Sequence, residues 1–409
     1  MAATLEAKYK EHKDDIINLT FLILIAAALG VYLIATTVLI ADDGIYYIER
    51  AQKLSTDPSG VMKSHPPGYP YLIYMAHKFT MLFSNSSSVF SWIYSAQSVT
   101  LLCRLFALIP LYFIGKFLIG GKKSFWSILI LLILPYPARF GSDVLRDWPL
   151  VLFLATGFLF LLWGAERGKW WFFGIVGLAA GLGFTIRPEC IQLVVYSILW
   201  LLVGLLRPKC NMSRPKLLCA LFILLIGFAL PIAPYVIEAG RIIPPKLGEL
   251  IDFPKEHITS FFQAQSEKEV NVDSHNGIYT IVSSLGKITK AIGRLIERIS
   301  ENLMYFFLPA LLIGIYCRFR KQSSATDIER FFMPVFIILN VIIMILLYSG
   351  YEYISRRHCL PLVVFLIFYV VTGMEVLGTR LGSRNTQSRS EAAINSRRWF
   401  FILLAIGIG

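Results

Sequence analysis

Long apolar runs that hold no charged residue constrain this chain more than any other feature of its sequence. The clearest of them are Ile16–Ile40, Leu217–Ile237 and Phe331–Tyr348. The hydrocarbon core of a bilayer is about 30 Å thick and a helix rises about 1.5 Å per residue, so a run of about 18 or more such residues is a candidate span. Continuous apolar runs favour helices over the alternating pattern of membrane strands.

We predict an all-α polytopic membrane protein: a bundle of about 10–11 or more transmembrane helices, with outward-facing juxtamembrane amphipathic helices. The last apolar segment begins at Trp399 and is still apolar at Gly409, which is too short to span. We therefore expect either that a C-terminal part is missing or that this segment does not cross the bilayer. The predicted spans are 16–40, 92–118, 124–138, 148–165, 171–186, 190–206, 217–237, 302–317, 331–350 and 358–378.

The distribution of charge predicts the orientation. The formal net charge is +13, but the basic residues lie in short loops between apolar runs, which argues against a nucleic-acid-binding protein. Cytoplasmic loops attract Lys and Arg, so the N-terminus is predicted inside. Residues 1–409 then form one transmembrane domain with a first outer loop at 41–91, a second at 139–147, a large one at 238–301 and a basic inner loop at 379–398.

The large outer loop ends in an amphipathic pattern. Apolar residues recur at three- and four-residue spacing between Ile281 and Ile299, with Lys287, Lys290 and Arg294 between them. This pattern is typical of a helix that lies in the membrane interface with its basic face toward anionic head groups. A helix packed on neighbouring spans would show the same pattern.

The first outer loop carries the strongest catalytic candidates. Asp42 and Asp43 follow the first span directly, where two partly desolvated carboxylates repel each other and one becomes a plausible general base. The alternative is a polar helix end that only stops the span. Further on, His65 precedes Pro66 and Pro67, and its imidazole could bind phosphate or metal or exchange protons. It could equally be a solvated interfacial histidine.

The second outer loop offers a candidate metal site. Asp143 and Asp147 are four residues apart and would share one face of a helix. Carboxylates at a membrane surface can hold a hard divalent ion that also grips phosphate oxygens. The alternative is a turn in which Arg146 pairs with these acids.

Several cationic or imidazole side chains are predicted on the same side of the membrane. Arg187 falls between two spans, and Arg356, Arg357 and His358 precede the last long span. A guanidinium fork suits phosphate, so these residues, together with His65, are candidate phosphate ligands. Head-group anchoring by snorkelling is the alternative for the arginines.

The order of these motifs resembles the GT-C glycosyltransferases of the protein O-mannosyltransferase and lipid A aminoarabinose transferase type. The family pattern is an acid after span one, a His-Pro-Pro-Gly-Tyr stretch, a second-loop acid before Pro-Leu, an Arg-Pro-Glu and a late Arg-Tyr-x-x-Pro. Here these are Asp43, His65–Tyr69, Asp147, Arg187–Glu189 and Arg357–Pro361. Three positions differ: Gly44 stands where many members have Glu, Ser64 where some have a metal-ligating Glu, and His358 where the late motif has Tyr.

The resemblance implies an inverting transfer of a sugar from a polyprenyl-phosphate carrier to a lipid, glycan or protein acceptor at the outer face of a bacterial inner membrane. Asp43 would be the general base, with Asp42 beside it. Arg187, Arg357 and a divalent ion (Mg, Mn or Zn), where one is bound, would offset the charge of the leaving phosphate. The alternatives are a transporter or lipid flippase, and a subunit that assembles or polymerises surface glycan. The sequence shows no internal repeat of the kind that transporters carry.

Overall fold

The computed structural model describes residues 2–37, 40–83, 88–206, 212–241, 275–320, 325–383 and 389–408. Within these ranges all regular structure is helical, with no strand. The α-helices are α1 (Ala2–Thr36), α2 (Asp42–Lys53), α3 (Pro58–Ser64), α4 (Gly68–Met81), α5 (Val89–Ile119), α6 (Gly121–Ile133), α7 (Pro135–Phe140), α8 (Asp147–Arg167), α9 (Phe172–Ile186), α10 (Gln192–Leu206), α11 (Arg214–Ala239), α12 (His275–Asn302), α13 (Leu308–Phe319), α14 (Asp327–Tyr351), α15 (Leu360–Ser383) and α16 (Arg389–Ile408), and a 3₁₀ turn covers Pro188–Ile191.

Seven helices in the described part of the chain are long and apolar enough to cross a membrane. The predicted class, an all-α polytopic membrane protein, is confirmed. Three predicted spans form shorter helices: 124–138 is divided between α6 and α7, and 171–186 and 302–317 correspond to α9 and α13, of 15 and 12 residues. The seven long ones are Tyr9–Thr36, Val89–Ile119, Asp147–Arg167, Pro188–Leu206, Arg214–Ala239, Asp327–Tyr351 and Leu360–Gly382.

The core of the bundle is built on α8 and α15. Their middle turns are buried on nearly all sides, as expected for helices that are apolar all round and surrounded by others. Phe158 of α8 meets Phe365 of α15 edge to face at 5.1 Å between ring centroids, and Phe336 of α14 lies 4.4 Å from Phe365. Such aromatic pairs contribute about 0.5–1.5 kcal/mol each beyond their buried area.

The contact between α13 and α15 depends on glycine. A Cβ atom added at Gly314 would lie 1.8 Å from the Tyr369 carbonyl oxygen, and one added at Gly373 would lie 1.8 Å from the Ala310 carbonyl oxygen. Small residues let membrane helices approach backbone to backbone, where dispersion contacts replace the missing hydrophobic driving force. These two glycines therefore hold α15, whose N-terminal end carries part of the site described below, against α13.

The described part of the predicted outer loop 41–91 contains three short helices, α2 to α4, and the first residues of α5, which begins at Val89. Asp57 caps α3 by accepting a hydrogen bond from the Gly60 N–H at 2.8 Å, and Pro58 occupies the first turn, where its missing N–H costs nothing. The apolar faces of α2 and α4 pack on α5 in a separate small core that includes Ile48, Tyr69 and Ile73. This packing fixes the start of α2 against the bundle.

Most of the predicted large outer loop, residues 242–274, lies outside the described residues. Its last part is α12, which confirms the predicted helix. Leu295 is buried, whereas Ile288, Ile292 and Ile296 are exposed. The helix therefore packs on the bundle along one edge and leaves apolar side chains on its surface.

Candidate functional site

Asp43 stands at the start of α2, where the first outer loop leaves the bundle. A carboxylate in the first turn interacts favourably with the positive end of the helix dipole. Its Oδ2 accepts a hydrogen bond from Arg357 Nη1 at 2.9 Å, and its side chain is 53% exposed. Asp43 is therefore a paired but solvent-accessible acid that a substrate can reach.

Helix α2 approaches the second predicted loop closely at Gly44. A Cβ atom at Gly44 would lie only 2.9 Å from the Val144 Cβ, so a side chain at this position would collide with the loop. Asp143 secures the same contact, since its Oδ1 accepts hydrogen bonds from the N–H groups of Ala41 at 3.1 Å and Val144 at 2.7 Å.

A buried ion-pair cluster joins α8 to the turn after α9. Arg187 Nη1 donates to Asp147 Oδ1 at 2.6 Å, and its Nε and Nη2 donate to Glu189 Oε1 at 3.1 and 2.7 Å. The Arg187 and Asp147 side chains are only 8% and 5% exposed. Burial alone would lower the pKa of Arg187, but the carboxylates of Glu189 and Asp147 raise it, so this guanidinium is permanently charged.

His358, just before α15, is a neutral imidazole. Burial, and then the positive charge of Arg187, lower its pKa from 6.5 to about 3. Its Nδ1 lies 3.2 Å from the backbone nitrogen of Ser355. Because a backbone N–H can only donate, Nδ1 accepts, and the ring proton is on Nε2. His358 therefore offers one N–H donor but no charge.

These side chains meet around one small cavity of about 40 Å³, which we call the acid–arginine cavity. The structure thus brings together five predicted site residues: Asp43, Asp147, Arg187, Arg357 and His358. The lining includes three guanidinium groups and two carboxylates, and Glu189 balances part of the charge of Arg187 from outside the lining. The lining residues are Asp43, Tyr47, Leu145, Arg146, Asp147, Arg187, Arg357 and His358.

Sequence reasoning did not select three residues of this site. Tyr47 lies one turn after Asp43 on α2 and lines the cavity, and burial raises the pKa of its phenol. Arg146 also lines it, 5.6 Å from the Tyr47 ring centroid, and Glu189 holds Arg187. The sequence spacing could have indicated all three residues. Tyr47 is four residues after Asp43 and therefore shares its helix face. Arg146 and Glu189 lie within two residues of Asp147 and Arg187, which were predicted site residues.

Four predicted site residues do not line the cavity: Asp143, Asp42, His65 and Arg356. Asp42 is exposed and does not line the cavity. His65 Nδ1 lies 2.6 Å from Arg50 Nη2, and its ring packs edge-on against Tyr46. Arg356 turns away from Asp43 and pairs with Glu301 Oε2 at 3.0 Å.

The predicted metal pair does not fit a metal ion as it stands. The prediction that Asp143 and Asp147 share one face of a helix is wrong, because the segment around Asp143 is a turn and α8 begins only at Asp147. One carboxylate oxygen of Asp143 accepts hydrogen bonds from two backbone N–H groups, and Asp147 is paired with Arg187. Across the ranges that the structure describes, no group of three His, Cys, Asp or Glu side chains is arranged to hold a metal.

Comparison with known proteins agrees with this architecture. Residues 64–233 match the family model for dolichyl-phosphate-mannose-protein mannosyltransferases. Over 97% of its length the chain superposes on the archaeal oligosaccharyltransferase AglB from Archaeoglobus fulgidus in complex with an inhibitory peptide and a dolichol-phosphate, with a TM-score of 0.57 and 14% identity. This protein has the GT-C fold.

Two further AglB structures from Archaeoglobus fulgidus show the same GT-C fold. The complex tethered to an acceptor peptide matches over 96% of this chain with a TM-score of 0.58 and 12% identity. The complex with Zn and sulfate matches over 95% with a TM-score of 0.55 and 14% identity. This chain spans about half the length of these structures, covering 56%, 55% and 53% of them. No curated protein gives a significant sequence match.

The matched family segment includes Asp147 and Arg187 but neither Asp43 nor Arg357. Asp43 and Arg357 lie outside the matched segment of the sequence. The fold places them around the same cavity as Asp147 and Arg187.

Proposed function

We propose that this protein is an inverting glycosyltransferase that moves a sugar from a polyprenyl-phosphate carrier to an acceptor at the outer face of a bacterial inner membrane. One observation carries the proposal. An accessible carboxylate, Asp43, and a buried arginine, Arg187, line the same cavity, together with Arg357 and His358. Short basic loops on the opposite side support this orientation.

In the proposed reaction an acceptor hydroxyl attacks the anomeric carbon of the sugar. The new carbon–oxygen bond forms as the bond from that carbon to the carrier phosphate breaks, and a single displacement inverts the configuration. Asp43 takes the hydroxyl proton. The negative charge that develops on the leaving phosphate is offset by Arg187 and Arg357, and His358 supplies a neutral hydrogen-bond donor.

Arg357 has a double role in this proposal. It pairs with Asp43 before the reaction, at 2.9 Å, and it is also the guanidinium beside the phosphate position. As the phosphate gains charge, Arg357 can turn toward it and leave Asp43 free to hold the proton. An ion pair this exposed contributes only about 0–1 kcal/mol, so moving Arg357 from Asp43 to the phosphate costs little free energy.

The AglB structures were solved with dolichol-phosphate, with peptides, and with Zn and sulfate, which supports a polyprenyl phosphate as the carrier and an anion site in this fold. A divalent ion remains a prediction from the family resemblance. In this chain Asp147 is committed to Arg187 and Asp143 to backbone N–H groups, so no step of the proposed reaction runs through a metal.

The test replaces the proposed base with its uncharged isostere, Asp43→Asn. General-base catalysis contributes about 10²–10⁴-fold, so sugar transfer from a radiolabelled polyprenyl-phosphate sugar should fall by that factor. Asp42→Asn is the matched control, because Asp42 carries the same charge one residue away and does not line the cavity. NMR of the product should show the anomeric configuration opposite to the donor's. Asp43→Asn with native turnover would remove Asp43 from the base role.

A further inference from the structure

A second cavity, of about 240 Å³, adjoins the first. It lies between α7, α12 and the turn before α15, and Arg357 lines both cavities. Arg356 lines only the second cavity, whereas the adjacent Arg357 lines both. We call this second cavity the arginine pocket; its lining residues are Tyr136, Arg139, Phe140, Arg298, Tyr353, Ser355, Arg356 and Arg357.

The arginine pocket carries an excess of positive charge. Glu301 is shared between Arg298 and Arg356, at 2.7 and 3.0 Å. Arg357 is paired with Asp43. No acid among the described residues pairs with Arg139, whose side chain is exposed. Four guanidinium groups against two carboxylates leave an excess of two positive charges around a space much larger than one phosphate.

The pocket is also partly preorganised. The Arg356 guanidinium lies 4.3 Å from the centroid of the Tyr136 ring, which holds it by a cation–π contact. Arg298 Nε donates to the Ile354 carbonyl oxygen at 3.3 Å. A guanidinium that is already fixed loses little freedom when it binds, and its planar fork matches phosphate and carboxylate oxygens.

We propose that the arginine pocket binds an oxyanion, a phosphate or a carboxylate, that is carried by the acceptor substrate. This inference rests on the proposed function. In the proposed reaction the donor phosphate lies against Arg187 and His358 in the acid–arginine cavity, and we assign the second pocket to the acceptor. Because Arg357 lines both spaces and touches Asp43, an acceptor anchored against it from the arginine pocket presents its neighbouring hydroxyl to the proposed base.

The first test measures oxyanion binding directly, without sugar transfer. The full chain in neutral detergent is treated with phenylglyoxal, which modifies arginines, and inorganic phosphate is the probe. Phosphate should protect Arg139 and Arg356, as mapped by mass spectrometry. In Arg139→Gln, the phosphate concentration that half-protects Arg356 should rise about tenfold, because one charged hydrogen bond is lost.

Two variants make this test specific. Arg294→Gln is the matched control: Arg294 lies one turn before Arg298 on α12, is exposed and pairs with Glu297 outside the pocket, so protection should not change. Asp43→Asn should keep the protection, so failure of the base assignment and failure of this inference give different results. Absence of protection, or equal protection in Arg139→Gln, overturns the inference.

Two further arms identify the source of the oxyanion. In nanodiscs containing phosphatidylglycerol, inorganic phosphate should still add protection; if the lipid alone protects fully, the pocket is a head-group site and the acceptor assignment fails. In transfer assays with a membrane extract as acceptor, Arg139→Gln should raise the half-saturating amount of extract several-fold and leave the donor KM unchanged. A raised donor KM instead would assign the pocket to the carrier and overturn the inference.

Discussion

The buried pair between Asp147 and Arg187 should make an asymmetric contribution to stability. Asp147→Asn keeps the side-chain shape and removes one charge, but Arg187 still holds Glu189 at 2.7 and 3.1 Å. Breaking a buried ion pair lowers the free energy of unfolding by about 3–5 kcal/mol. Because Glu189 still pairs with Arg187 in this variant, we expect a loss at the low end of that range, about 3 kcal/mol.

The reverse substitution should cost more. Arg187→Met leaves two carboxylates near each other without their shared cation, and the Asp147 side chain is only 5% exposed. We expect about 5 kcal/mol, the upper end of the same range. The double variant Asp147→Asn/Arg187→Met should cost less than the sum of the single ones, with a coupling energy of about 2–3 kcal/mol.

The assay is reversible unfolding by SDS in mixed micelles, followed by tryptophan fluorescence, since Trp148 is fully buried beside Asp147. Asp43→Asn is the control, because it breaks an exposed pair that should contribute at most about 1 kcal/mol. Two results would refute the reasoning. The first is a free energy of unfolding for Asp147→Asn within about 0.5 kcal/mol of the native value, which is the range of an ordinary surface substitution. The second is a smaller loss of stability for Arg187→Met than for Asp147→Asn.

Two further predictions concern packing and pH. Gly314→Ala puts a Cβ 1.8 Å from the Tyr369 carbonyl oxygen and should lower stability in the same assay by about 1–3 kcal/mol, whereas Gly293→Ala, with open space around it, should be neutral or stabilising. Equal effects of the two would contradict the close helix contact. The folded state holds His358 neutral down to a pKa of about 3, so the unfolded chain binds the proton first and stability should fall by about 1 kcal/mol between pH 7 and pH 5.5. His358→Gln should reduce that slope, and an unchanged slope would argue against the buried neutral ring.

Most of the fold was accessible from sequence because a bilayer demands apolar runs of a minimum length, whatever the packing. The exceptions have local causes. The run 124–138 reads as one span, but α6 ends at Ile133 and α7 begins at Pro135. The break is at Leu134, whose ψ of 125° is extended because a proline disfavours the helical conformation of the residue before it. The helical reading of Asp143 failed because its carboxylate bonds the backbone of its own turn.

The site was only partly predictable, because a residue's type indicates its chemistry but not which way its side chain points in the folded protein. Arg356 and Arg357 look equivalent in the sequence, yet one pairs with Glu301 and the other with Asp43. Likewise Asp42 and Asp43 share the first turn of α2, and only the second reaches the cavity. Adjacent residues on a helix or turn point in different directions, so sequence proximity cannot decide which one meets a distant partner.

By itself, then, the sequence determined the membrane class, the long helices and the kinds of side chain present at the outer loops, since these depend on local hydrophobicity and residue type. Tertiary packing decided which of those side chains meet. Asp43 and Arg357 are 314 residues apart, and their 2.9 Å contact exists because α2 is held against the second outer loop while α15 is held in the bundle core. Such contacts depend on the summed packing of many helices, which no local pattern encodes.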